Sequence, residues 1–150
     1  MRPAGAAPYS GPGMSIRETA VALKRVPLFE NCSARELRDI AGRGDERLYA
    51  EGETIVRQGK LGDEFFVVLG GRADVHRGGT KVRTLDAGDH FGELALLHSL
   101  LARRPRAATV TATSEVRCFT LSVSQFKNVL YQGDVAVKLL YSVASMFPEE

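Results

Sequence analysis

The chain has 150 residues, enough for one domain with a sizeable core and too few for two. Its content of 44% hydrophobic and 25% charged residues is that of an ordinary soluble globular protein. A formal charge of +2 is too slight to argue for a nucleic-acid partner, and no apolar run approaches the roughly 20 residues that span a bilayer.

The N-terminus lacks the unbroken apolar core of a secretory signal, so a cytoplasmic protein with no membrane partner is expected. Cys32 and Cys118 lie far apart, with no CxxC and no metal-ligand spacing, and read as reduced thiols. His76, His90 and His98 are scattered, so no metal site is expected. GxxxxGK[ST], HExxH and GxSxG are all absent, which leaves no signature of a catalytic residue or of a cofactor. The expectation is a protein that is not an enzyme.

Residues 1–13 (MRPAGAAPYSGPG) are rich in Pro, Gly and Ala and show no hydrophobic period. They are expected to form a disordered tail or an appended remnant, with one domain over residues 14–150. Ser15 and Glu18 have the spacing of a helix capping box, and Ile16, Ala20 and Leu23 follow at helical intervals up to the break at Pro27. Ser33 and Glu36 form a second such box before Leu37 and Ile40, with Gly42 and Gly44 expected to end that helix.

From Leu48 to Leu121 the pattern changes to short apolar segments separated by glycine-bearing turns, among them Gly52, Gly59, Gly62-Asp63, Gly70-Gly71, Gly78-Gly79 and Gly88. Strands at such spacing predict an all-β sandwich or barrel rather than a parallel α/β sheet. Phe65–Leu69 (FFVVL) reads as a buried strand, residues 108–113 (ATVTAT) as a half-exposed one, and Glu115–Leu121 as the last. Helix returns with a third capping box, Ser122 to Gln125, leading into Phe126, Val129 and Leu130. Gly133 breaks that helix, and Asp134 can cap another whose apolar face is expected to run Ala136, Leu140, Val143 and Phe147 before Pro148. The fold class expected is therefore mainly β with flanking helices, of β-barrel or jelly-roll type.

Two segments remain to be explained: Phe91-Gly92-Glu93-Leu94-Ala95-Leu96-Leu97, and Pro105-Arg106-Ala107-Ala108-Thr109-Val110. In this order, after a barrel of glycine turns, they resemble the phosphate-binding cassette of cyclic-nucleotide-binding domains. That family includes protein kinase A regulatory subunits, cyclic-nucleotide-gated channels and the bacterial catabolite activator protein. The resemblance covers the chain from about Val26 to the C-terminus and implies the barrel with flanking helices. One departure is residues 98–104 (HSLLARR), an insertion of about four residues between the FGELAL turn and the arginine.

The resemblance implies that Phe91, Gly92, Glu93, Leu94, Ala95, Arg106, Ala107 and Ala108 hold a cyclic purine nucleotide, cAMP as the expected ligand and cGMP the alternative. The chemistry of these side chains suits that role. An ionised glutamate only accepts hydrogen bonds, so Glu93 fits the donor of a ribose 2′-hydroxyl. Gly92 lets the backbone approach the sugar, and Arg106 offers a planar fork to two phosphate oxygens. Backbone groups of Ala95 and Ala107 complete the implied contacts. Taken singly, Glu93 reads as a barrel-end carboxylate or a helix-terminus charge and Arg106 as a solvated surface arginine; the pair, with small residues between, is what points to a ligand. Arg103 and Arg104 read as solvated insertion residues.

The resemblance further implies a regulatory sensor that moves its C-terminal helix to control an effector domain or protein that the sequence does not identify. Little chain follows Phe147, so direct nucleic-acid binding by a helix-turn-helix is not expected. Two alternatives stand beside this reading. A degenerate domain of the same fold would serve only for docking. A cupin-type metalloenzyme would need clustered His and carboxylate ligands on adjacent strands.

Overall fold

The computed structural model describes residues 7–8, 16–93, 96, 104–131 and 134–146. A short helical layer opens the domain: α1 (Ile16–Lys24), a 3-10 turn (Pro27–Phe29) and α2 (Ala34–Arg43). Ser33 caps α2 as its sequence predicts. Its hydroxyl accepts from the Glu36 N–H while the Glu36 carboxylate accepts from the Ser33 N–H. Gly44 is the C-cap residue and Gly42 lies inside the helix, so only the second of the two expected glycines ends it. Ser15, of the first capping box, lies outside the described residues.

The strands form two antiparallel sheets and a two-stranded ribbon. The first sheet orders β1 (Ala7–Pro8), β2 (Asp45–Tyr49), β11 (Val116–Leu121), β5 (Phe65–Gly70) and β8 (His90–Phe91). In the second, β3 (Thr54–Val56), β10 (Thr109–Ala112), β6 (Ala73–Arg77) and β7 (Thr80–Leu85) lie side by side. The ribbon pairs β4 (Leu61–Gly62) with β9 (Arg104–Pro105). Ala7 and Pro8, within the segment expected as a tail, pair with Leu48 and Arg47 at the sheet edge. Two helices follow, α3 (Val123–Leu130), closed by the Ser122/Gln125 capping box, and α4 (Val135–Met146). Mostly antiparallel sheets with flanking helices are the mainly β, jelly-roll-like class that the glycine-turn pattern predicts.

β5 explains how the layers join. Successive side chains of a strand point to opposite faces, so a strand covered on both sides must be apolar throughout. Phe65, Val67 and Leu69 enter the cluster shared with Leu23, Phe29, Ile40, Phe126 and Leu139 of the helices. Phe66 and Val68 enter the cluster between the sheets, with Tyr49, Leu85, Val110, Val116 and Cys118. β11 divides in the same way, Phe119 and Leu121 toward the helices and Cys118 between the sheets.

The face of α4 differs from its expected phase. Val135, Leu139 and Ser142 are buried and Val143 of the expected face packs against the core, whereas Ala136 is exposed and Leu140 is 69% exposed. Two polar ties set this rotation. The Lys138 ammonium is paired with the Glu36 carboxylate at 2.6 Å, and Asn31 Nδ2 donates to Ser142 Oγ at 3.0 Å. Phe147, the last residue of the expected face, lies outside the described residues. Among the described residues no helix is long and apolar enough to cross a membrane.

Candidate functional site

A cavity of about 390 Å³ opens between the second sheet and the segment around Arg106. Its apolar wall is Val56, Val75, Val82, Leu85 and Val110, supplied by β3, β6, β7 and β10. Phe91, Gly92, Pro105, Arg106, Ala107 and Ala108 close it, and Arg77, Arg83 and Arg104 stand at its edge.

Arg106 is fixed from the backbone outward. Its N–H donates to the Lys60 carbonyl at 2.8 Å, and its own carbonyl accepts from the Gly59 N–H at 2.9 Å. The side chain is only 9% exposed. Nη2 donates to the Glu64 carbonyl at 2.8 Å, and Cζ lies 5.8 Å from the centre of the Phe66 ring. Burial holds the guanidinium below its usual pKa range, an effect that the nearby Glu64 and Asp63 charges oppose. Among the described residues no carboxylate lies within ion-pair distance of Arg106: Glu64 is paired instead with Arg47, at 3.7 Å. A desolvated cation with neutral hydrogen-bond partners is a prepared anion site, because an arriving anion restores the charge balance that burial removed.

Two glycines make this placement possible. A Cβ on Gly62 would collide with Arg106 Nε. Gly92 has φ +85°, and a Cβ there would stand 2.6 Å from the Glu64 carbonyl and 3.1 Å from Arg106 Nη1. The glycine of the FGE turn thus serves the arginine's pocket as well as any ligand.

Glu93 is placed differently. It does not line the cavity. Its Oε2 accepts the Leu28 N–H at 2.8 Å, which ties the carboxylate to the 3-10 turn, and Oε1 lies 3.8 Å from His90 Nε2. Burial holds the His90 imidazole below its usual range despite the neighbouring Glu93 charge. The 3-10 turn in its turn packs against α4.

A family model described as the cyclic nucleotide-binding domain matches residues 46–132, more than half of the chain. The chain belongs to the cyclic nucleotide-binding domain family. It is 41% identical over 117 residues to a cAMP-dependent protein kinase regulatory subunit of Mycosarcoma maydis, covering 72% of this chain and 22% of that protein. It is 39% identical over 119 residues to the corresponding subunit of Blastocladiella emersonii, covering 76% and 28%. The chain therefore spans about a quarter of the length of the curated relatives it matches. Among solved structures, the N-terminal domain of a transcriptional regulator from Streptomyces coelicolor A3(2) superposes with a TM-score of 0.75 at 28% identity, over 83% of this chain and 91% of that one. The regulatory domain of Toxoplasma gondii PKA, crystallised with cAMP, superposes at 0.65 with 33% identity, over 87% and 51%.

Within this cyclic nucleotide-binding domain, the cavity brings together Phe91, Gly92, Arg106, Ala107 and Ala108 of the residues singled out in the sequence. Glu93 stands apart from them, and Leu94 and Ala95 lie outside the described residues, as do residues 98–103 of the insertion. The described end of the insertion, Arg104, is exposed in β9 at the cavity edge, so it is nearer the site than its reading as a solvated residue implied. Sequence reasoning missed Arg77, Arg83 and the valine wall. The only signal for them is the strand alternation of β6 and β7, which becomes informative once their pairing is known. Among the described residues, no group of three His, Cys, Asp or Glu side chains could hold a metal ion.

Proposed function

We propose that this domain is a non-catalytic sensor that binds a cyclic purine nucleotide, cAMP ahead of cGMP, and relays its binding to the C-terminal helix and an effector. The observation that carries the reading is Arg106, a buried guanidinium in the lining of a 390 Å³ cavity that forms no ion pair among the described residues. A cyclic phosphodiester supplies the single negative charge, and the fork of Arg106 meets two of its oxygens. The valine wall covers the purine. Support for the ligand comes from the relatives, named as cAMP-dependent kinase regulatory subunits, and from the related Toxoplasma gondii domain crystallised with cAMP. A kinase catalytic subunit is the class of effector that those relatives suggest.

The relay rests on Glu93. Its carboxylate accepts the Leu28 N–H away from the cavity, and in this reading it turns from that N–H to accept the ribose 2′-hydroxyl, so the sugar and the 3-10 turn compete for it. Release of the turn loosens a support of α4. The ligand thereby shifts the helix equilibrium by as much as its affinities for the two arrangements differ. Calorimetric titration with cAMP and cGMP tests the first step: saturable binding of both, with cAMP tighter, is expected. No heat with either nucleotide at millimolar concentration, from protein with a normal melting transition, leaves a docking module as the better reading.

A further inference from the structure

A second recess lies on the helical layer, lined by none of the residues of the nucleotide cavity. It is an open groove of about 560 Å³ between α1 and α2. Its floor is apolar, with Ala20 and Leu37 buried and Val21 standing 62% exposed at its lip. Among the described residues its rim is cationic: Arg17, Lys24, Arg25 and Arg38 line it, and no acidic residue does. Lys24 is turned onto the Glu30 and Cys32 carbonyls, but Arg17, Arg25 and Arg38 have no ion-pair partner among the described residues. Of the three acidic side chains on these two helices, Glu36 meets Lys138 and Asp39 meets Arg43, while Glu18 lines a neighbouring recess rather than this groove.

We infer that this groove docks an acidic amphipathic helix of a partner protein. The shape follows from helix packing: the furrow between two adjacent helices is the seat of a third, whose apolar side chains enter at i, i+3 and i+4 spacing. The charge follows from complementarity, since glutamates or aspartates flanking those side chains meet the unpaired arginines. Among the described residues a second copy of this chain supplies no such face. The exposed apolar residues Val137, Leu140 and Tyr141 lie on α4, whose described residues include no acid. A lipid surface fits less well, because the floor is recessed below its rim and takes side chains rather than a plane of headgroups.

The probe is a fluorescein-labelled peptide of roughly 16 residues with leucines at i, i+3, i+4 and i+7 and glutamates beside them, compared with a twin carrying lysine for glutamate. Fluorescence anisotropy with the nucleotide-free protein should show the acidic peptide binding about tenfold or more tightly than its twin, and weakening as salt is raised. Val21→Glu, and separately the triple change Arg17→Glu, Arg25→Glu and Arg38→Glu, should each lower that affinity about tenfold or more. Both proteins should keep their nucleotide affinity, and Tyr131→Glu, at a site 82% exposed on α3's far end, should change nothing. Equal binding of the two peptides, or an affinity untouched by both groove variants, overturns the inference. So does displacement of the peptide by phosphatidylserine vesicles that bind more tightly, or a concentration-dependent dimer that Val21→Glu abolishes; these assign the groove to a membrane or to a second copy.

Discussion

On the proposed reading, the segment carrying Arg106 and the turn carrying Glu93 offer complementary groups to one ligand, yet they stand in different states. Arg106 is clamped through both backbone groups to the Gly59-Lys60 turn and buried with a carbonyl and a ring for company. Glu93 already has a partner in the Leu28 N–H, outside the cavity. Rigid scaffolding with a charge left unanswered is how a site is prepared; a side chain engaged elsewhere is how a site is coupled to the rest of a fold. The proposed function thus makes the anion half pre-formed and assigns the conformational work of binding to the sugar half.

The largest expected effect falls on the pre-formed half. Arg106→Ala should weaken cAMP binding by about 2–5 kcal/mol, because the phosphate is then left partly buried and unpaired. Arg104→Ala, in an exposed position at the cavity edge, should cost far less. Titration calorimetry of both variants checks the ranking. Loss of binding in Arg104→Ala with retention in Arg106→Ala would move the anion site across the insertion and dissolve the contrast between the two regions.

Glu93 tests the coupled half. Glu93→Gln keeps the shape and exchanges a charged acceptor for a neutral one, so affinity should fall by about 1 kcal/mol or more and the preference over 2′-deoxy-cAMP should shrink. In the parent protein, saturating cAMP should speed hydrogen exchange at the Leu28 amide, since its acceptor has been drawn to the ribose. Slower exchange at Leu28 with ligand bound would show that one carboxylate serves both partners at once, and the competition would be withdrawn.

How much of this was legible in the sequence follows from how local each feature is. Capping boxes are four-residue signals, and those at Ser33 and Ser122 formed as read. The Phe65–Leu69 run announced burial because both faces of β5 are covered. The pair of motifs around Glu93 and Arg106 was readable because each is contiguous. The Glu93–Leu28 bond was not, since it joins residues 65 apart and leaves no spacing to find. The phase of α4 is only partly legible, with Val143 on the core as expected and Leu140 not, for a related reason. Its sequence, VAVKLLYSVASM, is apolar around much of its circumference, so periodicity alone does not choose a face. Lys138 meeting Glu36 and Ser142 meeting Asn31 choose it, and both are tertiary contacts.

His90 ties the turn region to pH. Its neutral form is favoured in the fold by burial and by the Arg83 charge, against the pull of Glu93 and Asp89. The unfolded chain takes up a proton near the ordinary imidazole value of 6.5 while the folded chain resists it. The stability that neutral His90 contributes is thus fully present above that value and is lost as pH falls from it toward the lower folded value. Thermal melts across this window should decline more steeply in the parent than in His90→Gln. Equal slopes would mean that Glu93 offsets the burial and that this side of the site is electrically balanced.

The smallest effect concerns the base, and it falls on the pre-formed side. Ala107 follows Arg106 and lines the cavity, where a methyl group offers no hydrogen bond. In the family that the sequence resembles, Thr or Ser at this place is associated with cGMP, because its hydroxyl can bond the guanine. Nothing in an alanine repels guanine, so the parent should bind both nucleotides, with cAMP ahead by no more than one hydrogen bond allows. A net 0.5–1.5 kcal/mol corresponds to roughly two- to tenfold. Ala107→Thr should shift the ratio toward cGMP by a similar factor without changing the ribose preference set by Glu93. Competition of the two nucleotides against a fluorescent analogue, run on both proteins, reads the ratio directly. If the parent prefers cGMP, or the substitution leaves the ratio unmoved, the base is chosen elsewhere on the cavity wall. Arg77, Arg83 and Arg104 at the cavity edge are side chains with hydrogen bonds to give.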